Sequence, residues 1–164
     1  MDRQNEHVES HHGVLMNVAG YGILIIGSPA IGKSSLALEL LSQHHQLIAD
    51  DVIDFCCSNN IVTGHCPTML SGLLHTRELG LISVPTIFGD KAWQSQYSLD
   101  YVIELSQHHD SKINFNVEKR FYTVLNQVFP LLTLSVLTTA SLSNRLLCWI
   151  NMQANPCSVK NELN

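Results

Sequence analysis

The chain has 164 residues, 45% apolar and 14% charged, a composition that fits one folded domain with a real core rather than a disordered chain. Its formal net charge is −5 at pH 7, with no block of Lys or Arg, which argues against affinity built on a nucleic-acid backbone. No apolar stretch approaches the ~20 residues a membrane span needs, so no membrane partner is expected.

The N-terminal stretch, residues 1–10, is polar and mixed in charge, lacks the apolar core of a signal peptide, and reads as a flexible tail. Residues 13–19 alternate loosely and read as a strand. Tyr21 to Ile26 is nearly all apolar and reads as a buried strand, with Gly20 placed to turn a hairpin between the two. Residues 33–43 carry Leu36, Leu40 and Leu41 on one face with Ala37 beside them, the pattern of an amphipathic helix. A short strand is expected over 47–49, ending at Asp50 and Asp51. Residues 52–57 and 61–66 flank Ser58-Asn59-Asn60, a hairpin turn signal.

Further strands are expected over 81–84, 101–105 and 131–137, with a polar loop over 106–120. A closing helix is expected over 142–152, with Ser141 as its N-cap. Many strands and few helices point to an α/β domain with a mixed sheet and flanking helices. The five cysteines are odd in number and form no CxxC pair; without an export signal they read as reduced thiols in a cytoplasmic protein, with no zinc-ligand spacing.

The strongest motif joins the buried strand to the helix. Gly27-Ser28-Pro29-Ala30-Ile31-Gly32-Lys33-Ser34 matches G-x-x-x-x-G-K-[ST] in full. The glycines let several backbone N–H groups point at one anion, and the helix adds the positive end of its dipole. Lys33 can reach the β- and γ-phosphates of ATP, and the Ser34 hydroxyl can ligate Mg²⁺. Pro29 has no N–H and removes one donor from this cradle. A little past the helix, Asp50 and Asp51 place two carboxylates at a strand end. One can hold Mg²⁺ and the other can accept the proton of an attacking hydroxyl. Their mutual repulsion favours a raised pKa in one of them.

Over this stretch the chain resembles the HPr kinase/phosphorylase family. That family carries a His-Gly pair, a hairpin, the P-loop, a helix and then L-[IV]-A-D-D; here these are His12-Gly13, residues 27–34 and Leu47-Ile48-Ala49-Asp50-Asp51. A later family segment, E-I-R-G-[IL]-G-[IL]-I-[DN]-V, corresponds to residues 75–84, followed by Phe88-Gly89. The resemblance implies a P-loop nucleotide-binding fold of the HPr kinase C-terminal domain type and ATP-dependent phosphorylation of a serine on HPr, the phosphocarrier of the sugar phosphotransferase system. It also implies the reverse phosphorylase reaction in many members, and hexamers. Carried over by position, Lys33 holds phosphate, Ser34 and Asp51 serve Mg²⁺, Asp50 or Asp51 is the general base, and His12 and Arg77 belong to the active site. The chain looks like the short, catalytic-domain-only version, with residues 11–155 as the kinase-like domain and 156–164 as a tail.

The sequence departs from the family in three places. His75 stands where the family has a glutamate on the metal side. Glu78 replaces a glycine. No Y-[DE]-R-L-G stretch occurs around 106–120, where Asn114 falls near the expected arginine, and Thr138-Thr139-Ala140 replace a Pro-Gly turn. Arg120 and Arg145 are the candidates to substitute.

Overall fold

The computed structural model describes residues 7–108 and 118–156. They form a mixed eight-stranded sheet in the order β7-β4-β3-β1-β2-β8-β10-β9, a separate β5–β6 hairpin and three α-helices. In chain order the elements are β1 (Glu9–Val18), β2 (Tyr21–Ile26), α1 (Lys33–Ser42), β3 (Gln46–Ser58), β4 (Ile61–His65), β5 (Leu73–Thr76), β6 (Gly80–Ser83), α2 (Val84–Phe88), β7 (Gln96–Ser98), β8 (Tyr101–Ser106), β9 (Arg120–Val124), β10 (Gln127–Ser135) and α3 (Leu142–Ala154). The first strand therefore reaches back to Glu9, into the stretch read as a tail. Asn114 and the absent arginine stretch lie outside the described residues, as do Cys157 and most of the C-terminal tail.

β2 and β8 run parallel, as do β8 and β10, while the outer pairs are antiparallel. The C-terminal ends of β2, β8 and β10 therefore share one edge of the sheet, where ligands gather in folds of this kind. The P-loop leaves that edge from β2, and the connections after β8 and β10 begin there too.

The two expected strands at 47–49 and 52–57 are one strand, β3, thirteen residues long. Its ladder with β1 shifts register between Leu15 and Met16, which pair with Ala49 and Leu47. Ile48 is the extra residue, so Ile48 and Ala49 both pack on one face of the sheet while Leu47 packs on the other. Such a bulge re-aims the side chains that follow it; here those are Asp50 and Asp51. A left-handed backbone at Asp51 (φ 73°) adds a second local irregularity, one that aspartate tolerates better than most residues. Strand alternation read from sequence missed the continuity because the breaks fall at Ile48, inside the first expected strand, and at Asp51, between the two.

Each face of the sheet carries a core. On one, α1 and α3 cover Val14, Met16, Ile23, Ile25 and Ile103. The two helices are tied by Gln43 Nε2 donating to Ser143 Oγ (3.0 Å) and Ser143 Oγ donating to Glu39 (2.8 Å). The expected N-cap holds, since Ser141 Oγ accepts the Asn144 N–H. On the other face, Leu15, Leu24, Phe55, Val102 and Phe129 form the second core. Among the described residues no helix covers this core; the sheet itself curls over it. β1 and β9 stand four places apart in the strand order, yet His11 Nδ1 lies 2.8 Å from Tyr122 Oη, and Glu9 accepts the Leu125 N–H at 3.0 Å.

Candidate phosphate-binding site

The loop Gly27–Gly32 connects a strand buried on both faces to a helix whose buried side is Leu36, Ala37, Leu40 and Leu41. Gly32 caps α1 at φ 119°, a conformation that favours glycine, and no side chain occupies the cap. The first turn of α1 thus presents backbone N–H groups as an anion site. Lys33 folds its ammonium over the same loop, donating to the carbonyls of Gly27 (2.9 Å) and Ser28 (3.0 Å).

Strand β1 brings His12 to this loop. Neighbouring residues of a strand point to opposite faces, so His11 joins the curled core with Tyr122 and Phe55, while His12 enters the cleft with Lys33. The glycine after His12 has a steric reason: a Cβ at Gly13 would stand 2.5 Å from the Ile25 carbonyl oxygen. Gly13 pairs with Asp51 and Val14 with Asp50, which sets the acidic pair beside His12.

The two carboxylates differ. Asp50 is buried, at 8% exposure, and one oxygen accepts the His75 N–H at 2.8 Å. Burial pushes its carboxyl above the ordinary range, against the lowering effect of that hydrogen bond. Asp51 is open to solvent, with His12 Nδ1 3.9 Å from its Oδ1. Both side chains of this second pair are so exposed that it adds little to stability.

Two clefts meet at the start of α1. One, of about 680 Å³, is lined by His12, Lys33, Ser34, Asp50, Asp51 and His75, with Leu70, Leu73 and Leu81 on its apolar side. The other, of about 600 Å³, has Lys33, Ser34, His75 and Leu38 facing Arg77, Glu78 and Leu79. The structure therefore brings His12, Lys33, Ser34, Asp50 and Asp51 together and puts Arg77 in the neighbouring cleft. Arg77 sits on the tip of the β5–β6 hairpin, which Thr76 braces: its Oγ1 donates to the Gly80 carbonyl and accepts the Leu79 N–H. Of this hairpin the second strand was expected, over 81–84, while β5 with its four residues was not legible. The Thr76-to-Gly80 spacing around a tight turn was its one local signal.

The candidate substitute arginines are engaged elsewhere. Arg120 pairs with Glu104 at 2.8 Å and also contacts Thr133 on β10. Arg145 donates to the carbonyls of Ser135 and Ala140, fixing the turn that holds Thr138 and Thr139. Neither lines either of these two clefts.

The donor set suits Mg²⁺ bound with a nucleotide. A serine hydroxyl and an exposed carboxylate share one cleft with a phosphate cradle, and Mg²⁺ in such sites takes one or two carboxylates plus phosphate and water. His75 adds an imidazole in place of a carboxylate, a poorer magnesium ligand.

A strand, glycine-rich loop and helix at the edge of a mixed sheet, with an acidic pair on the next strand but one, define a P-loop-type α/β domain. The family profile of the HPr Serine kinase C-terminal domain matches residues 4–155, and the chain belongs to that family. It is 36% identical over 146 residues to an HPr kinase/phosphorylase of Cupriavidus metallidurans, covering 83% of this chain and 45% of that protein. A Bordetella avium HPr kinase/phosphorylase is 44% identical over 95 residues, 57% of this chain and 31% of that one. Among solved structures, the Hpr(Ser) kinase/phosphatase from Coxiella burnetii superposes with a TM-score of 0.82 at 28% identity, over 89% of this chain and 90% of that one. The chain thus spans about half the length, 45%, of the first of these curated relatives.

Proposed function

We propose that this chain is an ATP-dependent serine kinase acting on an HPr-like phosphocarrier protein, working in the cytoplasm as a homo-oligomer, with residues 11–155 as its catalytic unit. The observation that carries the reading is the convergence of His12, Lys33, Ser34, Asp50 and Asp51 on one cleft of about 680 Å³. The family's resemblance supplies the hexamer and the reverse phosphorylase reaction as parts of the same proposal.

In this reading the P-loop N–H groups and Lys33 hold the β- and γ-phosphates of ATP. Ser34 and Asp51 hold Mg²⁺, which neutralises phosphate charge when bound. Asp50 takes the proton of the substrate serine as its oxygen attacks the γ-phosphorus and ADP leaves. Its raised pKa brings it nearer to the working pH, as suits a general base. In the reverse direction the same carboxyl returns the proton. His12 stands beside Asp51, where it orients that carboxylate. Arg77, across α1 from the acids, clamps phosphate or the protein substrate from the neighbouring cleft.

A second reading has its own observation. Arg120 and Arg145 are both occupied away from the clefts, and His75 stands where a carboxylate would serve the metal. A site without an arginine on the transferring phosphoryl loses several orders of magnitude in rate. That favours a nucleotide-binding regulatory module, or a P-loop kinase for another substrate.

One experiment separates them. Purified protein is given ATP, Mg²⁺ and HPr, with nucleotide binding and phosphoserine formation measured side by side, and Lys33→Ala and Asp50→Ala/Asp51→Ala as controls. Phosphoserine that depends on Lys33 and the acidic pair supports the kinase. Binding without transfer sinks it and leaves the regulatory module. Transfer to a different acceptor favours the third reading.

A further inference from the structure

Away from the clefts, strands β3 and β4 bring a thiol and an imidazole into contact. Cys56 Sγ lies 3.1 Å from His65 Nε2. Both residues sit inside an antiparallel ladder in which Cys56 pairs with Thr63 and Asp54 with His65, so the backbone on each side is fixed. Cys56 and His65 are half-buried, neither sealed in a core nor loose on the surface.

Asp54 is the direct cross-strand neighbour of His65 and shares its face of the sheet. Ser10 of β1 donates to Asp54 at 2.5 Å and fixes that carboxylate as an acceptor. An imidazolium beside a sulfur stabilises the thiolate, the form that reacts. The neighbouring cysteines lack this arrangement. Cys57 points to the opposite face, where its sulfur accepts from Gln127 Nε2. Burial pushes the Cys66 thiol up, away from reactivity. Cys148 is exposed on α3.

We propose that Cys56 and His65 form a reactive thiol–imidazole pair, a modification site that takes up a small soluble disulfide as a mixed disulfide. The proton of Cys56 passes to His65. The thiolate attacks one sulfur of the incoming disulfide, a new S–S bond forms as the old one breaks, and the departing thiolate takes the proton from His65. The net change is one protein thiol and one disulfide converted to one mixed disulfide and one free thiol, so the incoming disulfide is the only oxidant required.

The test follows each cysteine by mass spectrometry in the full chain, carrying Cys57→Ser and Cys66→Ser so that Cys56 is the one cysteine between Lys33 and Arg77. The probes are oxidised glutathione and iodoacetamide. Cys56 is expected to react at pH 7 about ten-fold faster than the exposed Cys148, with a rate that inflects below the ordinary thiol value of about 8.5. His65→Gln is expected to abolish that advantage and raise the inflection. A Cys56 that reacts no faster than Cys148, or that inflects at the ordinary value, overturns the proposal. The pH profile of the protein with His65 intact decides the matter even if the His65 variant does not fold.

Discussion

The two clefts at the start of α1 share Lys33, Ser34 and His75 but are built from different material. The acidic cleft has β1 and β3, central strands of the large sheet, on the side that carries the acids, with Leu73, His75 and Leu81 of the β5–β6 hairpin opposite. The other is walled by the tip of that hairpin, where Arg77, Glu78 and Leu79 are exposed beyond Leu74, which is buried in the core, and the Thr76 brace. Groups on a packed central strand are held in place, whereas groups on a short exposed hairpin move at low cost. Under the proposed function, chemistry that needs exact placement falls to Asp50 and Asp51, and adaptable contact with substrate falls to Arg77. The contrast predicts how variants of the two walls differ.

The largest effect is expected at the shared corner. Lys33→Ala removes the cation that serves both clefts, and phosphoryl transfer is expected to fall on the order of 10³-fold, with nucleotide affinity lost as well. Isothermal titration with ATP beside a phosphoserine assay measures both; retained affinity would detach Lys33 from the phosphates. Next in size are the acids. Asp50→Asn is expected to lower kcat by roughly 10²-fold or more while nucleotide binding persists, because a base acts only in the transfer step. Asp51→Asn is expected to weaken the Mg²⁺ dependence of ATP binding. A Mg²⁺ titration that is unchanged by Asp51→Asn would reverse the roles given to the pair.

Across α1 the change is smaller and of a different kind. Arg77→Ala is expected to raise KM for the protein substrate by about ten-fold with little change in kcat, the signature of binding made equally in ground and transition states. Equal loss in kcat and kcat/KM would move Arg77 into the chemistry and erase the distinction between the two walls.

The acidic wall was also the more legible half of the sequence. Residues 27–34 declared the loop, Tyr21–Ile26 and the Leu36/Leu40/Leu41 stripe declared its strand and helix, and His12-Gly13 marked the strand that crosses beside the acids. These are local patterns, and the fold keeps them. The bulge at Ile48 was hidden because it breaks the two-residue alternation on which strand reading depends. Of the β5–β6 hairpin, β6 was expected over 81–84, while β5 was hidden by its shortness and β7 by its three residues. The contact of His11 with Tyr122 was beyond reach, since it follows from how the whole sheet curls. The fates of Arg120 and Arg145 could not be read either: an arginine's partner is set by tertiary placement, not by its neighbours in the chain.

The last prediction turns on Asp50 alone and separates its structural cost from its use. A carboxylate with burial as the chief cause of its raised pKa binds its proton more tightly in the folded chain than in the unfolded one. Folding stability contributed by this group is therefore lowest where Asp50 is ionised, above its folded pKa. It recovers as pH falls through that value toward the ordinary 3.8 of the unfolded chain. Asp50→Asn removes the buried charge, and its side-chain oxygen can still accept the His75 N–H that Asp50 now takes at 2.8 Å. The variant is expected to melt a few degrees higher than the parent at neutral pH, with the gap closing as the pH is lowered to the unfolded value. The same substitution that lowers transfer should thus raise Tm, a pairing that no purely structural role for Asp50 produces. A variant less stable at neutral pH would mean that the carboxylate's charge is held favourably by His75 and its surroundings, and that the cleft is not the desolvated site a raised base requires.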